Sequence, residues 1–84
     1  MRREKSYRGI STRLAVQYLE NLGGERVDDG TVKGEGWRAD LSAEKVDVAG
    51  SIRLTEVTVA FEGEEAVLEE LIEDFDRKAM RAGG

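Results

Sequence analysis

Neither cysteine nor histidine occurs anywhere in the 84 residues, and each absence closes off chemistry. Without cysteine there is no disulfide and no thiolate metal site. Without histidine the commonest metal ligand and the usual general base are missing. Carboxylate-only sites for Mg²⁺ or Ca²⁺ stay chemically open. No stretch is long and apolar enough to cross a bilayer, and Met1-Arg2-Arg3-Glu4-Lys5 is not followed by the apolar run of a signal peptide. A cytoplasmic chain with no membrane contact is therefore expected. Lysine is scarce: nine of the 13 basic residues are arginine, against 18 acidic ones, for a net charge of −5. Excess acid argues against nucleic acid as the main partner. Low lysine with excess acid also hints at a salty host cytoplasm, though GC-rich codon usage gives a similar bias.

What is present fits one core, so a single domain over residues 1–84 is expected. A chain this short without a staple has little stability to spare, which makes a homodimer a reasonable way to bury more surface. Residues 4–10 read as a short strand with Tyr7 and Ile10 as its apolar members. Ser11 or Thr12 then supplies a helix N-cap, and Leu14, Tyr18 and Leu22, with Ala15 and Leu19 beside them, make one apolar face at helical spacing. Gly23-Gly24 ends that helix. From Glu25 to Phe61 the chain reads as an antiparallel meander. Asp29-Gly30 signals a hairpin whose turn needs positive φ. Thr31 to Ala39 is a strand weakened by Gly34 and Gly36, Glu44 to Val48 a short strand, and Ala49-Gly50-Ser51 a turn. Ile52 to Phe61 is the clearest strand, although Ile52 and Leu54 share one parity while Val57, Val59 and Phe61 share the other. A bulge near Thr55-Glu56 would reconcile them.

After Gly63 a second helix buries Val67, Leu68, Leu71, Ile72, Phe75 and Ala79. Acid in its first turn (Glu64, Glu65) and base in its last (Arg77, Lys78, Arg81) suit the helix dipole. The expected fold is α+β: a single antiparallel sheet of about five strands with two helices on one face, in β-α-β4-α order.

Several patterns mimic chemistry. Gly34-Glu35-Gly36-Trp37-Arg38-Ala39 has the form G-x-G-x-x-A, but that fingerprint works only where a strand turns into a helix, and here it falls in a hairpin region. Ser42-Ala43-Glu44-Lys45 matches S-x-x-K without its companion motifs. The acidic run Glu69, Glu70, Glu73, Asp74 and Asp76 reads as the solvated face of a helix. Arg2, Arg3, Lys5 and Arg8 read as a frayed, solvated terminus more readily than as an anion patch. No catalytic residue, metal site or cofactor is expected, and the chain reads as a non-enzyme.

Two features carry sharper alternatives. Trp37 shares strand parity with Thr31, Lys33 and Glu35, which sets it on the face away from the helices as a partner contact; a bulge at Gly34 or Gly36 would instead turn it into the core. Gly83-Gly84 is the kind of free diglycine that ubiquitin-like and sulfur-carrier proteins present to an adenylating enzyme, where a side chain would block the approach of the terminal carboxylate to ATP. The plainer reading is a C′ glycine followed by a disordered end. Small sulfur carriers open with a hairpin, and only about ten residues here precede the first helix, too few for two strands.

Three stretches carry a family resemblance: Arg8-Gly-Ile-Ser-Thr-Arg-Leu-Ala-Val-Gln-Tyr-Leu-Glu-Asn-Leu-Gly-Gly24, Leu54-Thr-Glu-Val-Thr-Val-Ala-Phe-Glu-Gly63 and Lys78-Ala-Met-Arg-Ala-Gly-Gly84. With them the chain resembles the MoaD-related C-terminal domain of molybdopterin-biosynthesis-type proteins, including small stand-alone haloarchaeal members. The resemblance implies a fold of the TATA-binding-protein-like kind and association with β-grasp sulfur carriers, but no catalytic motif; the β-grasp half itself is missing from this sequence. The leading expectation is an accessory or partner domain in a MoaD-like, ubiquitin-like sulfur-transfer pathway, contacting a β-grasp carrier or an adenylating enzyme. A carrier or modifier activated at Gly84 is the second expectation, and a structural homo-oligomerisation module the third.

Overall fold

A computed structural model of the chain describes residues 1–83. The elements run β1 (Arg2–Arg8), α1 (Thr12–Asn21), β2 (Glu25–Asp28), β3 (Thr31–Gly34), β4 (Trp37–Ala49), β5 (Ile52–Gly63) and α2 (Glu65–Gly83). The strands form one five-stranded sheet in the order β1-β5-β4-β3-β2, antiparallel at every junction. β1 and β2 are thus the two edges, and β5 lies between the first strand and the rest of the meander.

Local chemistry sets the helix ends. The Ser11 hydroxyl accepts the Leu14 N–H at 3.1 Å, and so caps α1. At the other end Gly23 adopts φ +99°; its N–H bonds the Glu20 carbonyl while that of Gly24 reaches back to Leu19. That pair of bonds is the Schellman closure, which needs a left-handed residue where glycine stands. α2 starts from Glu64, whose N–H donates to the Gly36 carbonyl at 3.3 Å. The sheet therefore hands the chain directly into the helix.

Both helices lie on one face of the sheet. Register puts Ala39 opposite Phe61 and Leu41 opposite Val59, so the odd-numbered residues of β4 and β5 share that face. Val57, Val59 and Phe61 are completely buried there, against Ala15 and Leu19 of α1 and Leu68 and Phe75 of α2. Phe75 is the hub. Its ring meets Tyr7, Phe61 and Tyr18 edge-on, at centroid distances of 5.0, 5.8 and 6.0 Å. Such edge-to-face pairs add about 0.5–1.5 kcal/mol each beyond the burial of area.

β1 is fixed to α2 by a polar clasp. One oxygen of Asp76 accepts the Tyr7 hydroxyl at 2.6 Å, and the other accepts the Lys5 ammonium at 2.6 Å. Burial is the first cause that pushes the Tyr7 hydroxyl well above its ordinary pKa, and donation to the Asp76 carboxylate adds to it. The N-terminal residues are consequently not frayed. Arg2 already pairs with Glu62 in the ladder, Arg2 is bonded to Glu4 and Arg8 to Glu56.

Three details depart from the sequence reading. First, no break separates Thr31–Ala39 from Glu44–Val48; the turn falls at Glu35-Gly36 instead, with Gly36 at φ +80°, and β4 runs unbroken from Trp37 to Ala49. Second, the Asp29-Gly30 turn forms without positive φ at Gly30. The Asp28 carboxylate accepts the Gly30 N–H at 2.9 Å, and this bond is the leading cause that holds Asp28 below its ordinary pKa. Third, the β4/β5 register is continuous through Thr55 and Glu56, and the only shift lies between Asp47 and Ala49. The parity change in β5 has another origin: beyond Glu56 the β4–β5 hairpin leaves the helix layer, and neither of its faces is covered. Ile52 is 57% and Leu54 38% exposed.

Candidate functional site

Trp37 lies in the core and not on the open face. It belongs to the same alternating set as Ala39, it is 8% exposed, and its indole lies over two glycines. A Cβ at Gly34, its partner across the hairpin, would sit 2.1 Å from the ring, and one at Gly24 would sit 2.6 Å from it. Parity counted from Thr31 failed because the two-residue turn at Glu35-Gly36 resets it. Of the two glycines that mimic the fingerprint, Gly34 admits the indole and Gly36 makes the turn at φ +80°, and no helix follows them.

The rim of that indole borders a groove of about 310 Å³ between the end of α1 and the start of α2, together with Leu22, Val67 and Leu71. Glu35, Glu70 and Asp74 edge it. Any contact made by Trp37 would be made through this rim. The rest of the acidic run behaves as a solvated surface: Glu69, Glu70 and Glu73 are exposed, and Arg77 bonds both Glu73 and Asp74. Asp76 is the exception, turned inward to Tyr7 and Lys5. Ser42 and Lys45 of the S-x-x-K match are both exposed and, three apart on a strand, point to opposite faces.

The broad unoccupied surface is the open face of the sheet. Register assembles it in rows across the strands. One row is Ser6, Thr58 and Ser42, whose Ser6 and Thr58 hydroxyls lie 3.1 Å apart. Beside it run Arg8, Glu56 and Glu44, with the Arg8 guanidinium donating to Glu56 at 2.9 Å. A third row, Arg2, Glu62, Arg38, Lys33 and Glu25, crosses all five strands. Hydroxyls lie at the centre of this face, with charges of both signs around them. On the same face the Thr31 hydroxyl donates to the Asp40 carboxylate at 2.9 Å.

The diglycine is split by the structure. Gly83 is the last residue of α2, and Gly84 lies outside the described residues. For Gly83 to enter an adenylating enzyme as an extended tail, the last turn of α2 would have to unwind.

The chain belongs to the family described as archaeal MoaD-like protein, which it matches over residues 3–84. No curated protein matches it. None of the described helices is long and apolar enough to cross a membrane.

Proposed function

We propose that this protein is a non-enzymatic accessory domain of a MoaD-like, ubiquitin-like sulfur-transfer pathway, and that its open sheet face receives a protein partner. The family match over nearly the whole chain carries this reading. The element order is consistent with a TATA-binding-protein-like arrangement, in which a bare sheet face is backed by two helices. The partner is a β-grasp sulfur carrier or the enzyme that adenylates one. The inward-facing ionisable groups support a structural role, since both oxygens of Asp76 are engaged in holding β1 to α2.

The test is an NMR titration of ¹⁵N-labelled protein with a β-grasp carrier from the same host. Shift changes concentrated at Ser6, Arg38, Ser42 and Thr58 are expected. An unperturbed open face at saturating carrier contradicts the proposal. If incubation with an adenylating enzyme and ATP instead gives a mass change confined to the C-terminus, lost on deletion of Gly83-Gly84, the protein is itself the carrier.

A further inference from the structure

β4 is paired along both sides only for its first part. β3 accompanies it from Trp37 to Asp40, and the Gly30 carbonyl takes the Leu41 N–H at 2.7 Å. No described strand lies beside it after that, so one edge of the segment Ser42–Ala49 is bare. Along a strand the N–H and C=O groups alternate in direction. Since Leu41 points outward, Ala43, Lys45 and Asp47 do too. An open edge of this length is a template for another strand unless something blunts it. Here it carries neither proline nor a run of like charge, and no covering loop.

We propose that two copies of the protein join antiparallel along this edge, about a two-fold axis at Val46. The charges along the edge select that register. A two-fold axis normal to the sheet pairs residues whose numbers have a constant sum. With the axis at Val46, Lys45 of each copy stands opposite Asp47 of the other, so two opposite-charge pairs form. Shifting the axis by one residue either way places Lys45 against Lys45 or Asp47 against Asp47, and like charges directly opposite are destabilising. Lys45 and Asp47 are also outward-pointing residues, so each such pair exchanges two backbone hydrogen bonds, and Val46 meets Val46 at the closer, non-hydrogen-bonded spacing.

The side chains agree with the backbone. Val46 stands opposite Leu54 within the hairpin, on the open face. Pairing two copies lines up Leu54, Val46, Val46 and Leu54 across four strands, covering further the exposed Leu54 and the half-buried Val46 of each copy. On the other face Arg53, bonded to Asp47 at 2.9 Å, extends the charge alternation to the Lys45 of the second copy. The register shift between Asp47 and Ala49 ends the ladder there, and a two-fold pairing uses up the edge on both copies, so the assembly closes at two. The result is a ten-stranded sheet whose open face is continuous. This inference does not depend on the pathway assignment.

Sedimentation and cross-linking test it together. The wild-type chain is expected to sediment as a concentration-dependent dimer. Lys45→Asp, which creates two acid–acid pairs, should weaken dimerisation roughly tenfold or more, and Lys45→Asp combined with Asp47→Lys should restore it. Because the chain has no cysteine, Val46→Cys introduces a lone thiol at the axis. Under mild oxidation it should form a covalent dimer much faster than Glu44→Cys. Far-ultraviolet circular dichroism confirms that each variant is folded. A strictly monomeric wild type, a dimer indifferent to Lys45→Asp, or equal cross-linking at residues 44 and 46 overturns the proposal.

Discussion

The two ends of the β4–β5 hairpin are built from similar residues and behave oppositely. Where the helices cover it, Val57, Val59 and Phe61 are fully buried and every inward position is apolar. Where it overhangs, Ile52 and Leu54 are exposed, and the residues on the other face are Lys45, Asp47, Arg53 and Thr55. Alternation is enforced by one-sided burial. Once the helix layer stops, nothing requires apolar residues to keep to the same face, and the pattern changes parity without any irregularity of the ladder. Exposure of apolar residues at the overhang is compatible with folding because the covered half supplies the core.

The difference can be broken from either side. The largest effect is expected from Phe75→Ala, which removes the ring that joins Tyr7, Tyr18 and Phe61; it should destabilise by about 3–5 kcal/mol in denaturant titration, enough to threaten folding of a domain this small. Gly63→Ala comes next. The Cβ would lie 2.2 Å from the Gly36 carbonyl oxygen at φ +153°, so the junction of sheet and α2 must shift, at about 2 kcal/mol or more by the same measurement. Asp76→Asn weakens the clasp of β1 and should cost about 1–2 kcal/mol. At the small end, Leu54→Ser in the overhang should change the stability of dilute protein by no more than about 0.5 kcal/mol.

The clasp also gives a pH signature. Tyr7 has a raised pKa in the folded chain, so the unfolded chain loses that proton first. Its contribution to stability is complete below the ordinary tyrosine pKa of 10.0 and declines as pH rises above it. Tyr7→Phe should flatten the alkaline limb of a thermal-melt series across that range; an unchanged limb would show that Tyr7 does not carry it.

Much of the covered half was legible in the sequence. The α1 stripe, its Gly23-Gly24 end and the α2 stripe each rest on local rules that packing reinforces. The turn at Glu35-Gly36 was not. A glycine at either side of one residue reads equally well as a weak strand, a bulge or a turn, and only the indole lying over Gly34 and Gly24 decides between them. Counting parity through that turn sets Trp37 on the open face, and of the two readings the sequence leaves open the structure takes the other, the core. The extent of the helix layer was likewise hidden, because the order of strands in space determines how far the hairpin outruns its neighbours. The family resemblance is carried by Arg8–Gly24, Leu54–Gly63 and Lys78–Gly84; the first two are chiefly α1 with its caps and β5, and so report the scaffold more directly than any site.

Residue-resolved amide hydrogen exchange on dilute protein tests the division most directly. The amides of Val57, Val59 and Phe61 are expected to exchange only through global unfolding, whereas those of Glu44 and Val46, bonded to β5 in the overhang, should exchange through a smaller local opening. Equal protection of the two sets would contradict the account.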